Sequence, residues 1–193
     1  MPLTVDYYFA PQSPWSYLGH LRFWDIARGA GATIRVLPVD LGGKVFPVSG
    51  GLPLGKRAPQ RQAYRLLELK RFSEWLHAPL NVEPKYFPVN GDDAAKLIIA
   101  VDLHEGPSAA MSLADTLMRA CWVQDRNLAD EAVLAAALAE RELPARRATW
   151  STARSSGART GSTSCSGGWR AAERAPGGAG RQSTIGRLPP ARP

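Results

Sequence analysis

The sequence predicts an α/β fold: a βαβ unit at the start, four helices after it, and a basic tail that lies outside the packed part. Three observations carry this. Two short stretches rich in β-branched and aromatic residues, within 3–10 and 33–41, flank one segment of helical character. Four segments with helical apolar spacing follow between residues 59 and 143. Near Pro144 the composition changes abruptly. A chain of 193 residues with 45% hydrophobic content is long enough to build one core.

Leu3–Ala10 alternates loosely and reads as a strand, broken by Pro11–Gln12. Ser13-Pro14 opens a helix, because Ser caps a helix N-terminus well and Pro suits the first turn. Trp15, Leu18, Leu21, Phe23, Trp24 and Ile26 give this helix apolar mass, and Gly29 and Gly31 end it. Thr33–Leu41 is the second strand, interrupted by Pro38. The crossover between the two is expected to be right-handed. A loop dense in Gly and Pro runs from Gly42 to Gly55, and a helix covers about Pro59 to His77. Its apolar face is expected to hold Tyr64, Leu69, Phe72, Trp75 and Leu76, with Arg61, Arg65, Glu68 and Arg71 mostly elsewhere. After a Pro-rich loop, Asp92 or Asp93 caps a helix that Gly106-Pro107 stops. Ser108 starts the next, with Leu113, Leu117, Ala120, Cys121 and Gln124 on one face, and Asp130 caps a last short helix ending near Leu143-Pro144.

The formal net charge of +7 would ordinarily suggest nucleic acid or an anionic membrane as a partner. Its distribution argues otherwise. Residues 145–193 hold nine Arg and one acid, Glu173, for a net of +8, while residues 1–144 carry −1. In the same tail only Ile185 and Leu188 come from the set Ile, Leu, Val, Met and Phe. Too little apolar surface is present there to offset roughly 1–2 kcal/mol of backbone entropy per residue, so the tail is expected to be disordered. Two cysteines do not make a disulfide scaffold. No apolar run approaches the ~18 residues of a membrane span, and the start lacks a signal-peptide pattern, so a cytoplasmic setting is expected.

The best candidate for chemistry is Ser13-Pro14-Trp15-Ser16, where the first strand meets the first helix. Free N–H groups and partial positive charge at a helix N-terminus stabilise an anion. A thiolate held there has a depressed pKa and stays reactive, and a Ser hydroxyl can donate a hydrogen bond to it. An ordinary N-cap is the commoner use of Ser in such a place. Cys-Pro-x-Cys after a first strand marks thiol–disulfide exchange. Here both thiols are replaced by hydroxyls, which excludes a disulfide at this position. Cys121 falls on the apolar face of a helix and reads as core, and His20, His77 and His104 are too scattered for a metal motif.

Residues 3–143 resemble the 2-hydroxychromene-2-carboxylate isomerases, which belong with kappa-class glutathione transferases in the thioredoxin-like superfamily. The matching stretches are VDYYFAPQSPWSYLGHLRF, the Gly pair at 42–43, RAPQRQAYRLLELKRFSEWL, FPVN at 87–90 and ACWVQDRNLADEAVL at 120–134. The resemblance implies a thioredoxin-like fold with a helical insert. Residues 1–57 then form the N-terminal part, 58–144 the insert and 145–193 the tail. It implies a glutathione-dependent isomerase of aromatic degradation, working by reversible thiolate addition to a conjugated double bond. A kappa-class-like transferase and a non-catalytic thioredoxin-like protein are the alternatives. Ser13 takes the activating role, with Pro14, Lys44, Arg61 and Asn90 as glutathione-binding candidates. A glutathione-contacting Asn of the kappa class falls on Gly51, and Trp122 matches a family aromatic. The resemblance is also compatible with a homodimer formed through the insert.

The chain departs from this family after Pro144. The Val-Phe-Gly-x-Pro-type segment and the two strands that close the fold have no counterpart in residues 145–193. The Ala, Arg, Gly, Pro, Ser and Thr content there is that of a GC-rich gene read out of frame, so a frameshift or a sequencing error is expected. Without those strands, strand 1 is expected to present an open edge, and the chain to be unstable or a poor glutathione binder.

Overall fold

The computed structural model describes residues 3–142; the tail beyond, with its expected disorder and frameshift, lies outside the described residues. β1 (Thr4–Phe9), α1 (Pro14–Gly29) and β2 (Thr33–Pro38) form the βαβ unit. The strands run parallel, with Thr4 opposite Thr33 and Phe9 opposite Pro38. One face of this two-stranded ribbon carries Phe9, Ile34 and Val36 into the core. The other carries Tyr8 and the directly opposed pair Asp6 and Arg35, whose charged ends are 3.1 Å apart in the open. Among the described residues β1 pairs with β2 alone.

The second strand ends earlier than its sequence suggests. The last rung is the Val39 N–H donating to the Phe9 carbonyl at 2.8 Å, where β1 itself ends, and Pro38 offers no N–H on the strand's other side. Asp40 turns the chain instead: its carboxylate accepts the Gly43 N–H at 2.7 Å, and its carbonyl takes the N–H of Lys44 and of Val45. The expected loop at 42–55 therefore contains a wide turn over Leu41–Val45, the short helix α2 (Phe46–Ser49) and a tight turn at Leu54–Lys56.

Four helices follow, as expected: α3 (Pro59–Leu76), α4 (Asp92–Glu105), α5 (Pro107–Trp122) and α6 (Glu131–Glu140). Two caps differ from expectation. Gly91, not Asp92 or Asp93, precedes α4, and the two aspartates lie in its first turn, where they face the positive helix end. Pro107, not Ser108, is the first residue of α5. Asp130 caps α6 as expected, accepting the Ala132 N–H at 2.9 Å. α5 is the centre of the body: Met111, Leu113, Leu117, Met118 and Trp122 are all fully buried, and α1, α4, α6 and β2 pack around it. Gln124, which was expected to continue its face, lies beyond its end and is exposed.

The inner face of α3 is the main departure. Its buried residues are Arg65 and Leu69, one helical turn apart. The aromatic flank of Tyr64, Phe72 and Trp75 is exposed, Trp75 to 65%. Phe72 bridges Trp75 and Trp15 of α1 in edge-to-face contacts at 6.2 and 5.6 Å, and Arg22 lies over the Trp75 ring. On α1, likewise, Trp15, Leu21 and Ile26 face outward, and Tyr17, Leu18, His20 and Ala27 are buried. No helix among the described residues is long and apolar enough to cross a membrane.

Candidate functional site

Ser13 stands where β1 gives way to α1. Its backbone is extended, and its carbonyl accepts the Tyr17 N–H. Its hydroxyl oxygen accepts the Ser16 N–H at a long 3.3 Å, and the Ser16 hydroxyl in turn accepts the Ala10 N–H at 3.4 Å. Pro14, the first helical residue, is buried and has no N–H. Besides the Ser16 hydroxyl proton, two donors at this helix end have no acceptor among the described residues: the Ser13 hydroxyl proton and the Trp15 N–H. Both lie in the positive field of the α1 N-terminus. Ser13 is half-buried and Trp15 exposed, so an anion can reach them from solvent.

The helix carrying this cap is clamped from below. Tyr17 Oη donates to the Pro79 carbonyl at 2.6 Å. One turn on, His20 is fully buried, with Nε2 2.9 Å from the Met111 carbonyl and Nδ1 3.0 Å from the Tyr7 hydroxyl. A carbonyl only accepts, so Nε2 carries the proton, and Nδ1 accepts from Tyr7. Burial lowers the His20 pKa, offset in part by the Met111 hydrogen bond and the Asp115 charge, and burial raises that of Tyr7. The Tyr7 ring lies stacked against Phe9 at 4.7 Å and Phe23 at 4.4 Å. His20 is a structural residue, tying α1 to β1 and to α5.

The other site residues named from sequence are spread out. Lys44 is exposed in the wide turn after β2. Arg61 is exposed in the first turn of α3. Asn90 is exposed, and its side-chain carbonyl accepts the Asp92 N–H at 2.8 Å, which makes it a turn residue before α4. Among the described residues, no hydrogen bond or ion pair joins Ser13 to Lys44, Arg61 or Asn90. At Gly51 the Phe46 ring stands where a Cβ would go, so a side chain there displaces Phe46. Trp122 and Cys121 are core residues, and burial, with the Asp125 charge, pushes the Cys121 thiol up to about 12.

Two features were not anticipated. A cavity of about 250 Å³ opens at the carboxyl ends of β1 and β2, lined by Gln12, Pro38, Asp40, Gly91, Asp92 and Lys96 among others. The side-chain oxygen of Gln12 is buried beside it without a donor among the described residues. Gly91 makes room for Gln12, since a Cβ at 91 would collide with that oxygen. The second is Arg65, nearly buried over the Phe87 ring. Its position four residues before Leu69 was the available signal.

A parallel βαβ unit, a polar helix cap at the end of its first strand and helices packed beyond it define a thioredoxin-like protein. The family model of the DSBA-like thioredoxin domain matches residues 4–158, and the chain belongs to that family. Among solved structures, a 2-hydroxychromene-2-carboxylate isomerase matches with a TM-score of 0.55 and 22% identity over 73% of this chain. A candidate protein disulfide isomerase from Nitrosomonas europaea matches with a TM-score of 0.56 and 19% identity over 75% of this chain. The chain spans 66% of the first protein and 67% of the second. No curated protein matches.

Proposed function

We propose that this protein is a glutathione-dependent isomerase whose substrate is 2-hydroxychromene-2-carboxylate or a related intermediate of aromatic degradation. The observation that carries the reading is the pair of donors without acceptors at the α1 N-terminus, the Ser13 hydroxyl and the Trp15 N–H. They fit a thiolate: a hydroxyl and an amide aimed into a positive helix end lower the pKa of a thiol placed there. Bound there, glutathione supplies a nucleophile that adds reversibly to a polarised double bond. Ser13 donates its proton as a hydrogen bond and keeps the sulfur ionised. Pro14 leaves the cap without a competing N–H. Lys44, Arg61 and Asn90 are proposed to hold the rest of glutathione.

Thiol–disulfide exchange is the other chemistry of such a helix end. Ser13 and Ser16 occupy the positions that exchange needs as thiols, and Cys121 is buried and held protonated. The test titrates the glutathione thiol by its thiolate absorbance near 240 nm, with the 193-residue protein present in excess. A thiol pKa lowered by about one unit or more, and restored in Ser13→Ala, is expected. A pKa equal to that of free glutathione, or one that Ser13→Ala leaves unchanged, sinks the reading.

A further inference from the structure

Arg65 is 8% exposed, yet no carboxylate and no hydrogen-bond acceptor meets its guanidinium among the described residues. The Phe87 ring lies under it, with Cζ 5.1 Å from the centroid. A cation–π contact is too weak to offset the burial of an unpaired charge. A second cation makes matters worse. Arg57 lies near enough for its charge, together with the larger effect of burial, to lower the Arg65 pKa. Arg57 spends its Nε on the Leu52 carbonyl at 2.9 Å and has no ion pair among the described residues either. Two guanidinium groups thus act on each other near the start of α3, neither with an ion pair among the described residues.

The Arg65 nitrogens are not sealed off. The polar side-chain atoms that are both inaccessible and unpartnered among the described residues are Gln12 Oε1 and Trp122 Nε1. The apolar wall is also fixed: Phe87 rests on Trp122 with ring centroids 4.8 Å apart, and Trp122 is fully buried. A planar guanidinium fork beside an aromatic ring suits a planar carboxylate.

We propose that Arg65, supported by Arg57 and walled by Phe87, is a carboxylate-binding subsite of this protein. The inference rests on the isomerase reading for its ligand class, since the proposed substrate and glutathione are both carboxylates. It assigns the role to a residue that the glutathione-binding candidates above do not include.

Calorimetry on the 193-residue protein tests it with two matched pairs: 2-naphthoate against 2-naphthamide, and glutathione against its diethyl ester. At least one acid is expected to bind about tenfold or more tightly than its neutral partner. Arg65→Met is expected to remove that preference, and Arg65→Lys to keep part of it. A preference confined to naphthoate assigns the subsite to the aromatic substrate, and one confined to glutathione assigns it to the cofactor. No preference in either pair, or a preference that a folded Arg65→Met protein retains, overturns the proposal. Circular dichroism checks the fold. If Arg65→Met does not fold, Arg57→Met stands in for it, and an undiminished preference there overturns the proposal. Naphthoate carries no thiol, so its arm fails or succeeds independently of Ser13.

Discussion

Lowering the pH from 7.5 to 5.5 should destabilise this protein through His20. The imidazole is fully buried as the neutral tautomer, donating to Met111 and accepting from Tyr7, and its folded pKa is depressed below the ordinary 6.5. The sign follows from proton binding. Below 6.5 the unfolded chain takes up a proton that the folded one refuses, so stability present above 6.5 is lost as pH falls towards the folded pKa. A wholly refused proton costs at most about 1.4 kcal/mol at pH 5.5 relative to pH 7.5, from one pKa unit of linkage. Tyr7 and Cys121, both raised, titrate far above this window, and His77 and His104 are exposed. Urea unfolding at pH 7.5, 6.5 and 5.5 measures the effect against a Tyr7→Phe/His20→Phe double variant. That variant removes the second hydrogen bond of the Met111 carbonyl, which keeps its bond within α5, so a loss of about 0.5–1.5 kcal/mol at pH 7.5 is expected. Its stability should then fall less than that of the native protein between pH 7.5 and 5.5. An equal fall in both proteins, or a native protein that gains stability on acidification, would refute the argument.

Gly51→Ala should lower stability by about 1–3 kcal/mol in thermal or urea unfolding, because its Cβ runs into the Phe46 ring. Phe46→Ala in the same background should relieve part of that loss, and its failure to do so would show that the clash is not the cause. Cys121 should resist iodoacetamide at pH 8 in the native protein and react in urea, since its thiol is buried and pushed up to about 12. Peptide mass spectrometry separates it from Cys165, and rapid native labelling at 121 would contradict the packing of α5. Reading the gene's other two frames beyond codon 144 should recover a Gly-x-Pro segment flanked by strand-like sequence. If neither frame does, the composition of the tail needs another origin.

Local signals reached as far as local physics does. Ser13-Pro14 was legible because a cap and a first-turn proline act on their own helix, and Asp130 was legible for the same reason. Asp92 misled because an aspartate serves equally well as a cap or in the first turn, and Gly91 took the cap beside Gln12. The face of α3 was misread because apolar content was taken to mean burial. The aromatics at 64, 72 and 75 lie to one side of the line through Arg65 and Leu69, and that line faces inward. Arg65 was placed off the inner face for the same reason, as a charge in a helix of many charges. The Tyr7–His20–Met111 chain joins residues up to 104 positions apart, beyond any window of periodicity.

That long-range chain also explains what fixes the candidate site. Ser13 is bound to its own helix by one long hydrogen bond and by its carbonyl, neither of which sets where the helix end points. The direction of α1 is set further along. Tyr17 is pinned to the loop carbonyl of Pro79, and His20 ties α1 to both β1 and α5. Two of these three anchors, Pro79 and Met111, belong to the helical part of the chain, outside the βαβ unit. The βαβ unit supplies the chemistry of the cap, and the helices hold it in place. Loosening α5 at Met111 is therefore expected to reach Ser13 through His20, although no hydrogen bond among the described residues joins the two. The exposed flank of α3 has a shorter route, since Phe72 meets the Trp15 ring of the cap edge to face.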